Sequence, residues 1–131
     1  MFRHDWEGAE RELAKVSKLD DVPPTVRLDA GLLRALCASK RGDHRQAISL
    51  AHEATVLDEY SFVAAQYLVM SYLDAIADRR PSKSQVEISE LAGIVSTVLA
   101  SRANTEADRE WLQTVQRLVN ALTKENITIA E

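Results

Sequence analysis

Three histidines and one cysteine are the side chains in this 131-residue chain best suited to metal binding or covalent chemistry. His44 and His52 are eight residues apart, about two helical turns, too far to share one metal ion as adjacent-turn ligands do. No His-Glu-x-x-His or Cys-x-x-Cys pattern occurs, and a surface histidine is the expectation at each position, His4 included. Cys37 falls at core-like spacing, which is typical of a buried structural thiol. We therefore predict no catalytic residue, no metal site and no cofactor.

Paired carboxylates are the other groups that could carry acid–base chemistry. Asp20-Asp21 and Asp58-Glu59 lie at the ends of predicted helices, where capping and the helix dipole explain them better than catalysis does. No glycine-rich phosphate loop occurs. An enzyme or small-ligand domain, which would need polar groups converging in an interior pocket, is consequently the least favoured class.

Composition limits the compartment and the kind of partner. The net charge is −4 and the pI about 5.4, which argues against nucleic acid as a partner because such binding needs a concentrated basic surface. The N-terminus lacks an apolar signal core, and no window reaches the roughly 18 apolar residues of a membrane span. A single cysteine allows no internal disulfide. We expect a soluble, cytoplasmic protein with no membrane insertion.

The elements that must position any site are helices. Only 4 glycines and 3 prolines occur, too few for the many turns of an all-β domain. Apolar residues at spacings of three and four predict about six antiparallel helices, over residues 5–18, 24–40, 43–57, 59–78, 84–101 and 105–124. These helices predict an all-α fold with one domain over residues 1-124 and a loose tail over residues 125-131.

Several helix ends have specific signals. Gly42 is a left-handed cap after the second helix, and Asp43 with Gln46 has the spacing of a capping box for the third. We predict that Asp58 caps the fourth helix and that Ser84 with Glu87 forms a second capping box. Arg79-Arg80-Pro81 predicts the break between the fourth and fifth helices.

Residues 28–75 have a more specific pattern. Arg41-Gly42-Asp43-His44 is followed by Ala47, Ala51, Ala54, Leu57 and Asp58. This pattern resembles the tetratricopeptide repeat, in which a Gly-Asp turn opens the second helix and small residues follow where helices approach closely. The segment departs from the family at Glu59, where the family usually has proline, and at Ala51, where it has a larger aromatic residue.

The resemblance implies three stacked helical hairpins, as a right-handed superhelix or a compact bundle. It also implies an apolar groove, lined by Leu32, Leu36, Val63, Gln66, Met70 and Leu73, that suits an amphipathic helix of a partner. The same side chains could instead pack on the first or last helix of the chain itself.

A basic line accompanies this groove. Arg27, Arg34 and Arg41 recur every seven residues and therefore share one side of the second helix. They could meet an acidic partner segment or form an ordinary solvated face.

The sequence thus favours a non-enzymatic protein-protein interaction module, an adaptor or chaperone. The chaperones of bacterial type III secretion are small cytoplasmic proteins that are similar to this chain in expected fold and in length. A chaperone role is inferred from them by analogy alone. The alternatives are a self-associating subunit that forms a homodimer and a regulatory piece acting beside a DNA-binding or catalytic domain.

Overall fold

A computed structural model describes residues 6–19, 21–79 and 84–130. His4 and Asp20 lie outside these residues, as do Arg80 and Pro81 of the predicted break Arg79-Arg80-Pro81. The helices are α1 (Trp6–Ser17), α2 (Pro24–Lys40), α3 (His44–Leu57), α4 (Phe62–Arg79), α5 (Gln85–Ile94), a π-helical segment (Val95–Leu99), α6 (Ala100–Arg102) and α7 (Glu106–Ala130). Because α5, the π-helical segment and α6 are continuous, they amount to one long helix.

The predicted all-α class is confirmed, since the described residues contain helices and turns but no strand. Within those residues, none of the helices has the combined length and apolar character needed to cross a bilayer. The contacts divide the chain into two compact units, Met1–Ser71 and Tyr72–Glu131. The single domain over residues 1-124 stays a prediction.

The turn between α2 and α3 forms as its sequence predicts. Gly42 has a φ of 83°, a backbone conformation that glycine adopts without steric cost. Its N–H donates to Ser39 O at 3.0 Å, and Asp43 N–H donates to Ala38 O at 2.9 Å, which is the Schellman pattern. Asp43 Oδ1 then accepts from Gln46 N–H at 3.2 Å and caps α3. These bonds make α2 and α3 an antiparallel hairpin.

The turn between α3 and α4 differs from the prediction. Asp58 does not cap α4: its Oδ1 accepts from Tyr60 N–H at 2.9 Å, a local turn within the loop. Ser61 Oγ instead accepts from Ala64 N–H at 3.1 Å, so Ser61 is the capping residue. Helix α4 therefore begins three residues later than predicted.

Small residues form much of the core of the Met1–Ser71 unit, where α1 packs on α2 and α2 packs on α3. A close approach of helix axes leaves no room for long side chains. The alanines that meet this requirement are all almost fully buried: Ala35, Ala38, Ala47, Ala51, Ala54, Ala64 and Ala65.

In the Tyr72–Glu131 unit, α7 packs against α5 and the π-helical segment. Ser84 precedes α5, but its side chain makes no capping bond, so the predicted capping box does not form. Glu87 instead accepts a hydrogen bond from Arg79, because a guanidinium attracts a carboxylate more strongly than a neutral N–H does.

The last helix is longer than predicted. We expected a loose tail from residue 125, but the backbone remains helical through Ala130. Residues 125–130 contain neither glycine nor proline, so nothing in that stretch interrupts the helix.

Candidate functional site

The outer side of α4 exposes apolar side chains. Val63 is 51% exposed and Met70 46% exposed, and their spacing of seven residues puts them on the same side of the helix. Gln66 lies half-buried between them. The opposite side of the helix is buried, at Ala64, Ala65, Leu68 and Val69. We call Val63, Gln66 and Met70 the α4 face.

The other predicted groove residues are less accessible. Leu32 is only 4% exposed and belongs to the core, where it clusters with Ala54 and Ala64 and with the partly buried Leu28 and Tyr67. Leu36 is half-buried on α2. Leu73 is also half-buried and belongs to the Tyr72–Glu131 unit. The cluster around Leu32 brings the first half of α4 beside α2.

Two exposed side chains of α2 were missed by the sequence analysis. Val26 and Leu33 are each 43% exposed and are also seven residues apart. Their spacing repeats that of Val63 and Met70, and they lie on a different side of α2 from the partly buried Leu28 and the buried Leu32 and Ala35. That difference was the available signal.

The three arginines of the predicted basic line have different hydrogen-bond partners and surroundings. Arg41 is tied to α1, because its Nε and Nη2 donate to Glu10 Oε2 at 3.1 and 2.5 Å. The hydrogen bond to Glu10 raises the pKa of the Arg41 guanidinium above its usual value. A second carboxylate, of Asp43, lies 3.8 Å from Arg41 Nη1. Arg41 therefore serves as a link between α1 and α2.

Arg27 and Arg34 have a different setting, a cleft between α2 and α3 with a volume of about 240 Å³. Arg27 Nη2 donates to Leu19 O at 2.7 Å. Arg34 Nε is shielded from solvent and has no hydrogen-bond partner in the described part of the chain. We call this the arginine cleft; its remaining lining residues are Gly31, Leu50, Glu53, Ala54 and Leu57.

Cys37, His44 and His52 do not form a common site. Cys37 is 5% exposed, and burial, followed by the charge of Glu10, raises the pKa of its thiol. His44 is half-buried and His52 is exposed. Among the described residues, no three His, Cys, Asp or Glu side chains are grouped so that they could hold a metal ion.

A second cavity, of about 290 Å³, lies in the Tyr72–Glu131 unit beside the π-helical segment. Its polar lining residues are Ser96, Gln116 and Asn120, which carry no charge. Apolar residues complete it, namely Ala92, Val95 and Val119. The arginine cleft has the stronger basis for recognising a ligand, because it alone of these two cavities has charged side chains.

No protein-family model matches the chain, and comparison with curated proteins and with solved structures also finds no match.

Proposed function

We propose that this protein is a non-enzymatic interaction module, an adaptor or chaperone, that binds an amphipathic helix of a partner protein on the α4 face. The observation behind this proposal is the pair Val63 and Met70, half-exposed at two-turn spacing on a helix whose other side is core. Amphipathic helices bind through apolar side chains repeated at such intervals. Methionine suits the task because its flexible thioether adapts to different partners.

The α4 face supplies a modest free energy of binding. Burial of a whole side chain of this size contributes about 1.5–3 kcal/mol, so the exposed halves of Val63 and Met70 supply about 2 kcal/mol together. That amounts to about a 30-fold change in Kd. Affinity beyond this requires further contacts, for which the exposed Val26 and Leu33 of α2 are available.

The test compares two double variants. Val63→Glu/Met70→Glu places two charges on the α4 face. Val86→Glu/Leu118→Glu, the matched control, changes two side chains of the other unit that are 65% and 43% exposed. Each is used for affinity capture from the source organism, with quantitative mass spectrometry, after circular dichroism has verified its helical content and melting temperature.

A stoichiometric partner that the control retains, and that the Val63→Glu/Met70→Glu variant loses by about 30-fold or more, supports the proposal. Equal capture by both variants refutes it. If the α4-face variant unfolds, the milder Val63→Ser/Met70→Gln pair tests the same contact.

Self-association of the α4 face is the competing outcome, and sedimentation over a concentration series detects it. If the mass rises with concentration in wild type but not in the α4-face variant, the α4 face binds a second copy of this chain and not a partner helix. The tetratricopeptide-type stack, the cytoplasmic location and the likeness to secretion chaperones belong to the proposal as well. They rest on the residue 28–75 pattern and on the single cysteine.

A further inference from the structure

The floor of the arginine cleft contains a glycine that the packing of the protein does not require. Gly31 is in the interior of α2, four residues after Arg27 and three before Arg34, so all three share one side of the helix. A Cβ added to Gly31 would meet no heavy atom within 4 Å beyond the adjacent backbone. Glycine is disfavoured relative to alanine inside a helix. Its effect here is to deepen the cleft.

Arg34 supplies an unused donor in the same place. Among the residues that the structure describes, its buried Nε–H has no acceptor, although a buried donor without an acceptor is unfavourable. No ion pair joins Arg34 to Glu53, the carboxylate that also lines the cleft. A carboxylate is the acceptor that best matches the planar fork of a guanidinium.

The rest of the cleft determines what the carboxylate is attached to. Leu50, Ala54 and Leu57 form its α3 side, and Leu57 is 54% exposed, so an aliphatic chain would gain apolar contact there. The Arg34 guanidinium attracts an anion to the cleft, and the Glu53 carboxylate limits the negative charge that the cleft accepts. Glu53 would repel a second negative charge, which disfavours a phosphate dianion.

We propose that the arginine cleft binds a carboxylate on an aliphatic stem, with the carboxylate accepting from the Arg34 guanidinium and the stem lying over Gly31 against Leu50 and Leu57. The volume of about 240 Å³ is below the roughly 300–1,000 Å³ of sites for drug-sized ligands and suits a group the size of a side chain. The ligand is a glutamate side chain of a partner segment or a free short-chain fatty acid. This site does not depend on the α4 face.

The test is a titration of the purified full chain with hexanoate, followed by nuclear magnetic resonance of the backbone amides and the arginine Nε–H groups. Hexanoate should bind saturably at one site and shift the Gly31 amide and the Arg34 Nε–H. Hexanamide has the same stem without the charge and should bind at least about 10-fold more weakly, because it lacks the charge-assisted bond. Inorganic phosphate should bind more weakly than hexanoate.

Three variants locate the site. Arg34→Met keeps the aliphatic length of the side chain without its charge and should weaken hexanoate binding at least about 10-fold. Gly31→Leu introduces a better helix former, fills the floor of the cleft and should abolish binding. Arg117→Met removes an exposed arginine of α7, in the other unit, and should leave binding unchanged.

Two acetylated and amidated pentapeptides, Ala-Leu-Glu-Leu-Ala and Ala-Leu-Gln-Leu-Ala, distinguish the sources of the carboxylate. Tighter binding of the Glu peptide than of hexanoate assigns the site to a partner segment, and the reverse order assigns it to a free fatty acid. Equal binding of hexanoate and hexanamide overturns the proposal, as does tighter binding of phosphate or no binding at about 10 mM hexanoate. Full binding by Gly31→Leu overturns it as well, even where Arg34→Met fails to fold.

Discussion

Replacing Gly31 by alanine should make the protein more stable, and the size of the gain follows from its surroundings. Alanine in a helix interior is favoured over glycine by about 0.5–1 kcal/mol, because the glycine backbone loses more conformational freedom on folding. The new methyl group meets no heavy atom within 4 Å beyond the adjacent backbone, so no steric cost offsets this gain. The free energy of unfolding should therefore rise by about 0.5–1 kcal/mol.

The expected change in melting temperature depends on how much of the chain unfolds together. Unfolding entropy is about 2.1 cal/mol/K per residue, so in a cooperative transition of all 131 residues this gain raises Tm by about 2–4 °C. If Met1–Ser71 and Tyr72–Glu131 unfold separately, the same gain raises Tm by about 3–7 °C, and only in the transition of Met1–Ser71, which contains Gly31.

Gly93→Ala is the matched control, since Gly93 is also helical and a Cβ there also meets no heavy atom within 4 Å. Differential scanning calorimetry of wild type and both variants gives the comparison. The single domain predicted from the sequence requires that both variants shift one transition by similar amounts. A lower melting temperature for Gly31→Ala would show that the fold itself requires glycine at this position, which would refute the account of the cleft floor.

Two further predictions concern buried titratable groups. The Tyr72 hydroxyl donates to Glu90 Oε2 at 2.8 Å, and burial raises the pKa of this phenol. The folded chain therefore keeps a proton that the unfolded chain loses above about pH 10, so stability should fall with rising pH from there; urea unfolding should show a shallower fall in Tyr72→Phe. Cys37 is buried and its pKa is raised, so a thiol reagent at pH 8 should react with the native chain at least about 100-fold more slowly than in denaturant. Rapid native labelling would contradict the burial of this side chain.

Local bonds form the starts of both α3 and α4, and only the start of α3 was predicted correctly. Gly42 and Asp43 act within their own turn, and both form the bonds that the sequence predicts. Asp58 and Ser61 both have side chains that cap helices, and Ser61, not the predicted Asp58, caps α4. A side chain that bonds within a loop and one that starts a helix have the same residue types, so composition alone does not separate them.

The candidate sites were harder to predict because they depend on neighbours distant in sequence. The spacing of Arg27, Arg34 and Arg41 predicts that they share one side of the second helix, but it could not show that Arg41 bonds to Glu10, which is 31 residues away in the chain. The repeat resemblance that implied a groove containing Leu32 could not show that α3 and α4 bury this side chain. Helical periodicity identifies which residues share a side, and only the packed structure identifies what covers that side.

The π-helical segment Val95–Leu99 is a position at which the helix over residues 85–102 tolerates the loss of one residue. Each residue of an α-helix advances by roughly 100°, so a deletion elsewhere in residues 85–102 turns every later side chain by that angle. The π-helical turn already holds one residue more than an α-helical turn, and Ala100 N–H bonds to Val95 O across it. The hydroxyls of Ser96 and Thr97 bond to Gly93 O at 3.1 and 2.7 Å. Removing one residue here would leave ordinary α-helix with both flanks near their present orientation, so evolution can shorten the chain at this point at low structural cost.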